Sequence, residues 1–90
     1  MACIGEDCGI GYKRLASWLE DELALPKNGS AWVFFCNRDG TACRVRIDPL
    51  PERTVAGLKL PRTYLTAEGG ESAVEEFHRL FTLRFISAGG

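Results

Sequence analysis

Two amphipathic stretches of helical period flank a strongly patterned hairpin, and together they predict an α+β fold. The expected architecture is small. It has the order α-β-β-β-α, an antiparallel sheet of three to four strands, and two helices packed on one face of it. Three features carry this reading: an apolar stripe ending at a proline, an Asp39-Gly40 turn between two alternating segments, and an S-x-x-E capping box ahead of a phenylalanine-rich stripe.

The first helix is expected over 12–25. Tyr12, Leu15, Ala16, Leu19 and Leu23 recur at helical spacing, and Pro26 stops the run because the residue before a proline avoids the helical region. Trp18 is read as lying off this stripe. Asn28-Gly29 supplies the turn that follows.

The hairpin is expected over 31–37 and 42–48. If Asp39-Gly40 is a two-residue turn, Cys36 faces Cys43, Phe34 faces Val45 and Trp32 faces Ile47. All six then share one face, and a slip of one residue would break the agreement. The opposite face carries Val33, Phe35, Arg44 and Arg46.

Asp48-Pro49-Leu50-Pro51 reads as a break. Thr54 to Leu60 is expected as a third strand with Ala56, Leu58 and Leu60 on one side, and Pro61 confines it to a strand end or edge. Arg62 to Thr66 extends it or forms a fourth short strand. Ser72 and Glu75 form the capping box of a second helix, 73–84, lined by Val74, Phe77, Phe81 and Phe85. The stretch 81–86 also alternates, which leaves a short strand open there. Residues 1–10 and 87–90 read as loose termini of a single domain, 1–90.

Charge narrows the function classes. Lys and Arg number 11 and Asp and Glu 12, so no global field steers the chain to a polyanion or an anionic membrane. The longest apolar run, Ala31 to Cys36, is far too short to span a bilayer. Met1 is not followed by a basic stretch and an apolar run, so a cytoplasmic protein with reduced thiols is expected.

Several residues are candidates for chemistry. Cys3, Cys8, Cys36 and Cys43 would be the ligands of a structural zinc, but their spacings are wider than the usual ligand pairs, and buried or terminal free thiols are favoured. No cofactor is expected. His78, the single histidine, would have to serve any Cys–His mechanism, and nothing near it in sequence supplies the nucleophile. Lys13 and Arg14, after the Gly9-Ile10-Gly11 loop, form an alternative anion site with Arg38. Arg44 and Arg46, interleaved with Val33 and Phe35, suit base stacking and phosphate contact. They equally suit a half-exposed sheet on which arginine stems cover apolar surface.

The α-β-β-β-α order is similar to that of double-stranded RNA-binding domains, whose last helix opens on a basic cluster. Here Ala67-Glu68-Gly69-Gly70-Glu71-Ser72 is acidic at that point, so the RNA contact does not carry over. The same order resembles secretion chaperones that bind effector proteins as dimers. Gly11-Tyr12, Leu15-Ala16 and Val33-Phe34-Phe35 before Arg38-Asp39-Gly40 faintly resemble an accessory protein of bacterial insertion sequences over residues 11–47, a pattern the second half does not follow. The terminal Gly89-Gly90 is similar to that of ubiquitin-like sulfur carriers, which begin with a hairpin where this chain begins with a helix. No family is assigned on these residues.

The functional expectation is a non-enzymatic interaction module, a homodimer or adaptor, binding protein through Trp18, Val33, Phe35, Arg44 and Arg46. A nucleic-acid or anion binder and a small enzyme using His78 with a cysteine are the alternatives.

Overall fold

The computed structural model describes residues 1–86; the expectation for 87–90 lies outside the described residues. The fold is α+β, with a five-stranded antiparallel sheet and helices on one of its faces. Strand β1 is Ala2–Cys8, helix α1 is Tyr12–Ser17, β2 is Lys27–Asn28, β3 is Ala31–Phe35, β4 is Ala42–Val55, β5 is Leu58–Gly69, and α2 is Glu71–Phe81. A π-helical turn follows each helix, Trp18–Glu22 and Thr82–Ile86. The spatial order of strands is β1-β5-β4-β3-β2.

The amino-terminal segment corrects the first expectation. Residues 2–8 are not loose; they pair with β5 along their whole length, from Ala2 opposite Gly69 to Cys8 opposite Thr63. The register puts Ile4 on the helix side of the sheet and Cys3, Gly5 and Asp7 on the other. Pairing with a long strand supplies the order that this short, charged segment would not have alone. The buried Thr63 hydroxyl then donates to the Ile10 carbonyl at 2.7 Å and pins the chain as it leaves β1.

The first helix is shorter than its period suggests. It widens into the π turn at Trp18, where the Leu23 N–H donates to the Trp18 carbonyl at 2.9 Å, and ends before Ala24, which has φ 51°. The β3–β4 hairpin forms with a two-residue shift from the expected register. Trp32 pairs with Val45 and Phe34 with Cys43, so Cys36 does not face Cys43. The loop is 37–40 rather than Asp39-Gly40 alone, because the Asp39 carboxylate accepts from the Thr41 N–H (3.1 Å) and hydroxyl (2.8 Å) and closes a wider turn. An even shift keeps side chains on their faces, so the core set survives.

The largest correction is at 48–60. Asp48-Pro49-Leu50-Pro51 is not a break, and Thr54 to Leu60 is not a separate strand. Strand β4 runs on through both prolines to Val55, turns at Ala56-Gly57 (φ 51° and 82°), and returns as β5. Positive φ at both turn residues is the type I′ geometry that suits a twisted two-residue hairpin. Prolines are tolerated because β3 stops pairing with β4 at Val45, leaving one edge of β4 free beyond it. A bulge between Leu50 and Arg53 absorbs one extra residue of β4.

Helix α2 starts one residue before the expected cap. Gly70 is the N-cap and no side chain caps the helix, so the Ser72–Glu75 box does not form. Gly70 donates to the Ala42 carbonyl at 2.9 Å, and this tether to β4 sets the helix start. A Cβ at the preceding Gly69 (φ 146°) would stand 2.5 Å from that same carbonyl oxygen, so only glycine allows the approach. The alternation at 81–86 is helical, not a strand.

The core lies between the helices and one sheet face. Leu15, Trp18, Leu19, Phe77 and Phe81 pack on Trp32, Phe34, Val45, Ile47, Leu65 and Ala67. Trp18 is 3% exposed, with ring centroids 5.6, 6.0 and 5.1 Å from those of Phe77, Phe81 and Phe85.

Candidate interaction face

Strand alternation divides the sheet into a covered face and an open one. Odd residues of β4 from Cys43 to Ile47 and of β5 from Thr63 to Ala67 point at the helices and are buried. Even residues of both strands point away. Cross-strand pairing arranges the open face in rows. Phe35 and Ala42 form the first. Val33, Arg44, Glu68 and Cys3 form the second, then Arg46, Thr66 and Gly5, then Asp48, Tyr64 and Asp7.

Among the described residues no helix packs across these rows. Phe35 is 56% exposed and Val33 half-buried. Arg44 stands directly across from Glu68, a favourable cross-strand pair. Tyr64 lies over Gly5, where any Cβ would collide with the phenol, so glycine lets the ring cover the strand. Arg62 holds Asp7 by a 2.5 Å contact, and that hydrogen bond lowers the Asp7 carboxyl below the usual range. A shallow depression of about 320 Å³ opens among Met1, Val33, Ala42, Arg44 and Glu68.

Beyond Leu50 and Arg62 the sheet narrows to a two-stranded arm. Within it Arg53 pairs with Leu60 and Val55 with Leu58. Strand β5 keeps its parity throughout, so Leu58 and Leu60 lie on the same side as Arg62 and Tyr64. The bulge flips the parity of β4, and that brings Arg53 and Val55 to this side as well. Val55, Leu58 and Leu60 are 48%, 66% and 42% exposed and stand outside the core cluster. The open face therefore continues along the arm.

The structure brings Val33, Phe35, Arg44 and Arg46 together as expected, and it removes Trp18 from that set. The indole is on the opposite side of the sheet, in the aromatic core. Its position three residues after Leu15 puts it on the buried stripe, which the sequence reading misassigned.

Lys13, Arg14 and Arg38 do not converge. Arg14 lies over the Phe85 ring at 5.5 Å. Arg38 shares a cleft with Phe35, Glu76 and Arg79. There the Arg79 hydrogen bond, and more weakly the Arg38 charge, holds the Glu76 carboxyl below its ordinary range.

The cysteines are dispersed. Cys3 is exposed on the open face, Cys8 ends β1, and Cys36 and Cys43 are buried. Among the described residues no three His, Cys, Asp or Glu side chains gather as metal ligands. Burial pushes the Cys8 and Cys43 thiols up to about 11. A ring nitrogen of His78 lies 3.0 Å from Glu6, an acid rather than a thiol.

Tyr64, Val55, Leu58 and Leu60 were missed as surface candidates. The signal was present in the Ala-Gly turn between Val55 and Leu58, but Ala is an uncommon first residue for that turn.

Comparison with known proteins finds no family model that matches the chain, and no significant similarity to a curated protein or to a solved structure. Among the described residues no helix is long and apolar enough to cross a membrane.

Proposed function

We propose that this chain is a non-enzymatic interaction module, a homodimer or adaptor, that binds a protein surface through the open face of its sheet. The observation that carries this reading is Phe35, 56% exposed at the end of the sheet face turned away from the core, beside Val33, Arg44 and Arg46. Aromatic and arginine side chains are enriched at interface centres, where they combine large contact area with hydrogen bonding. Mixed charge favours protein over nucleic acid as the target. Arg44 and Arg46 share the face with Glu68, Asp48 and Asp7, and those carboxylates would oppose a phosphate backbone.

The test is sedimentation and partner binding of a Phe35→Ala/Arg44→Ala variant. The reading expects weakened association; an unchanged oligomeric state together with unchanged partner binding would sink it. Affinity for a labelled oligonucleotide that falls steeply between 50 and 200 mM salt, by roughly a factor of a thousand, would support the nucleic-acid alternative instead.

A further inference from the structure

We infer that β1 is a strand-addition site: its outer edge takes up an extended segment of another protein, apolar on the helix side of the sheet and basic on the open side. The site is the border of the sheet and stands apart from the open face.

Backbone alternation decides which edges can accept a strand. The Gly70 N–H donates to the Ala42 carbonyl and the Cys36 N–H to the Thr41 carbonyl. Even residues of β4 therefore turn their backbone groups to β5, and odd ones turn theirs to β3. Carried across the register, odd residues of β5 bond β1, and even residues of β1 bond β5. Cys3, Gly5 and Asp7 are left with N–H and C=O groups pointing outward, and among the described residues no strand lies beyond them.

The other free edges are blunted. Strand β2 has two residues, one of them Lys27. Strand β3 offers only Phe35 beyond it, because Val33 already donates to the Pro26 carbonyl. Past Val45 the outward positions of β4 are Ile47 and then Pro49; past Thr63 those of β5 are Pro61 and then Lys59. Pro49 and Pro61 each stand where an N–H would otherwise be offered. Short edges, prolines and lysines are the usual means of keeping a sheet from pairing with another chain. Strand β1 has seven residues and none of these devices. It is also held ready, paired to β5 along its whole length.

An added strand would find a floor. On the helix side Ala2 and Ile4 are half-buried against the core. Beyond Cys8 a groove of about 290 Å³ opens between the end of β1 and the helical turn after α2, lined by Ile10, Phe81, Phe85 and Ile86. Ile86 is 58% exposed there. Side chains of a strand alternate, so apolar residues facing this side would extend the core while the backbone pairs with β1.

Charge selects the occupant. Strand β1 carries Glu6 and Asp7 and no Lys or Arg. No register of β1 against β1 of a second copy can set opposite charges face to face, and such a seam would gather four carboxylates. Glu6 is held by His78 at 3.0 Å and Asp7 by Arg62, which fixes both acids beside the edge. A basic strand gains a favourable cross-strand pair there.

The test uses the full chain. Amide exchange followed by NMR is expected to find the Cys3, Gly5 and Asp7 amides fast and those of Ile4 and Glu6 slow. A capped seven-residue peptide of alternating lysine and valine, the probe, should slow the three fast amides. Cys3→Pro should weaken that peptide at least about tenfold with the circular dichroism spectrum and thermal melt unchanged, since the Cys3 N–H makes no bond to β5. Ile86→Glu should weaken it as well. Slow exchange at Cys3, Gly5 and Asp7 in the free chain, or no protection at millimolar peptide, overturns the site. Peptide binding that survives Cys3→Pro but is lost in Phe35→Ala/Arg44→Ala places the peptide on the open face and overturns it too. Equal binding of an alternating glutamate and valine peptide overturns the basic occupant. A dimer in sedimentation equilibrium that Cys3→Pro abolishes overturns the foreign strand in favour of a second copy.

Discussion

Replacing Trp18 by alanine separates a core tryptophan from an interface one. The indole is 3% exposed. A tryptophan side chain buries roughly 200 Å² at about 25 cal/mol per Å², which gives about 5 kcal/mol. Residual burial in the unfolded chain lowers that figure, and the cavity left among Phe77, Phe81 and Phe85 raises it, so a loss of about 3–5 kcal/mol is expected. For 90 residues the whole stability is about 5–13 kcal/mol, so this one change removes about a quarter or more of it. Urea unfolding followed by circular dichroism, with Trp32 as the remaining fluorescent probe, should show the midpoint falling by about 2–3 M. Phe35→Ala, with half its ring in solvent, should cost about 1 kcal/mol or less in the same assay. A Trp18→Ala loss under about 1 kcal/mol, or a larger one for Phe35→Ala, would refute the assignment of the two rings to opposite sides of the sheet.

Three further outcomes are expected. Hydrogen bonds from Ser72 and Thr41 hold the Asp39 carboxyl down at about 2. Its ionised form therefore stabilises the fold above about pH 4, and this contribution fades as pH falls toward 2. Thermal melts of Asp39→Asn should show a flatter acid limb over that window, and an unchanged slope would argue against the loop bonds. Iodoacetamide at pH 7.5 should label Cys3 first, because the Cys8 and Cys43 thiols, near 11, hold less than about one part in a thousand as thiolate. Fast labelling of either buried thiol would revive the small-enzyme alternative. Ala56→Gly should relieve about 1 kcal/mol of left-handed strain at the arm tip and slow amide exchange around Val55 and Leu58; faster exchange would contradict the turn.

Local pattern determined much of this protein. The stripe of Leu15 and Leu19, the alternation of Trp32, Phe34, Val45 and Ile47, and the Phe77–Phe81 face are legible because periodicity reports which side of an element is apolar. The hairpin faces survived an error in register because the error was even. The open quartet Val33, Phe35, Arg44 and Arg46 followed from the same alternation, being simply the other side of the strands.

Tertiary structure decided the rest. Residues 2–8 have no strong strand signal of their own and become a strand only by pairing with β5, a partner about sixty residues away. The prolines at 49, 51 and 61 read as breaks in isolation. They are admitted because the ribbon there has free edges and a bulge, and neither is visible until the strands are placed. The capping box lost to a backbone tether between Gly70 and Ala42. Periodicity says which residues want burial, but the pairing of distant strands settles where an edge, a bulge or an arm falls.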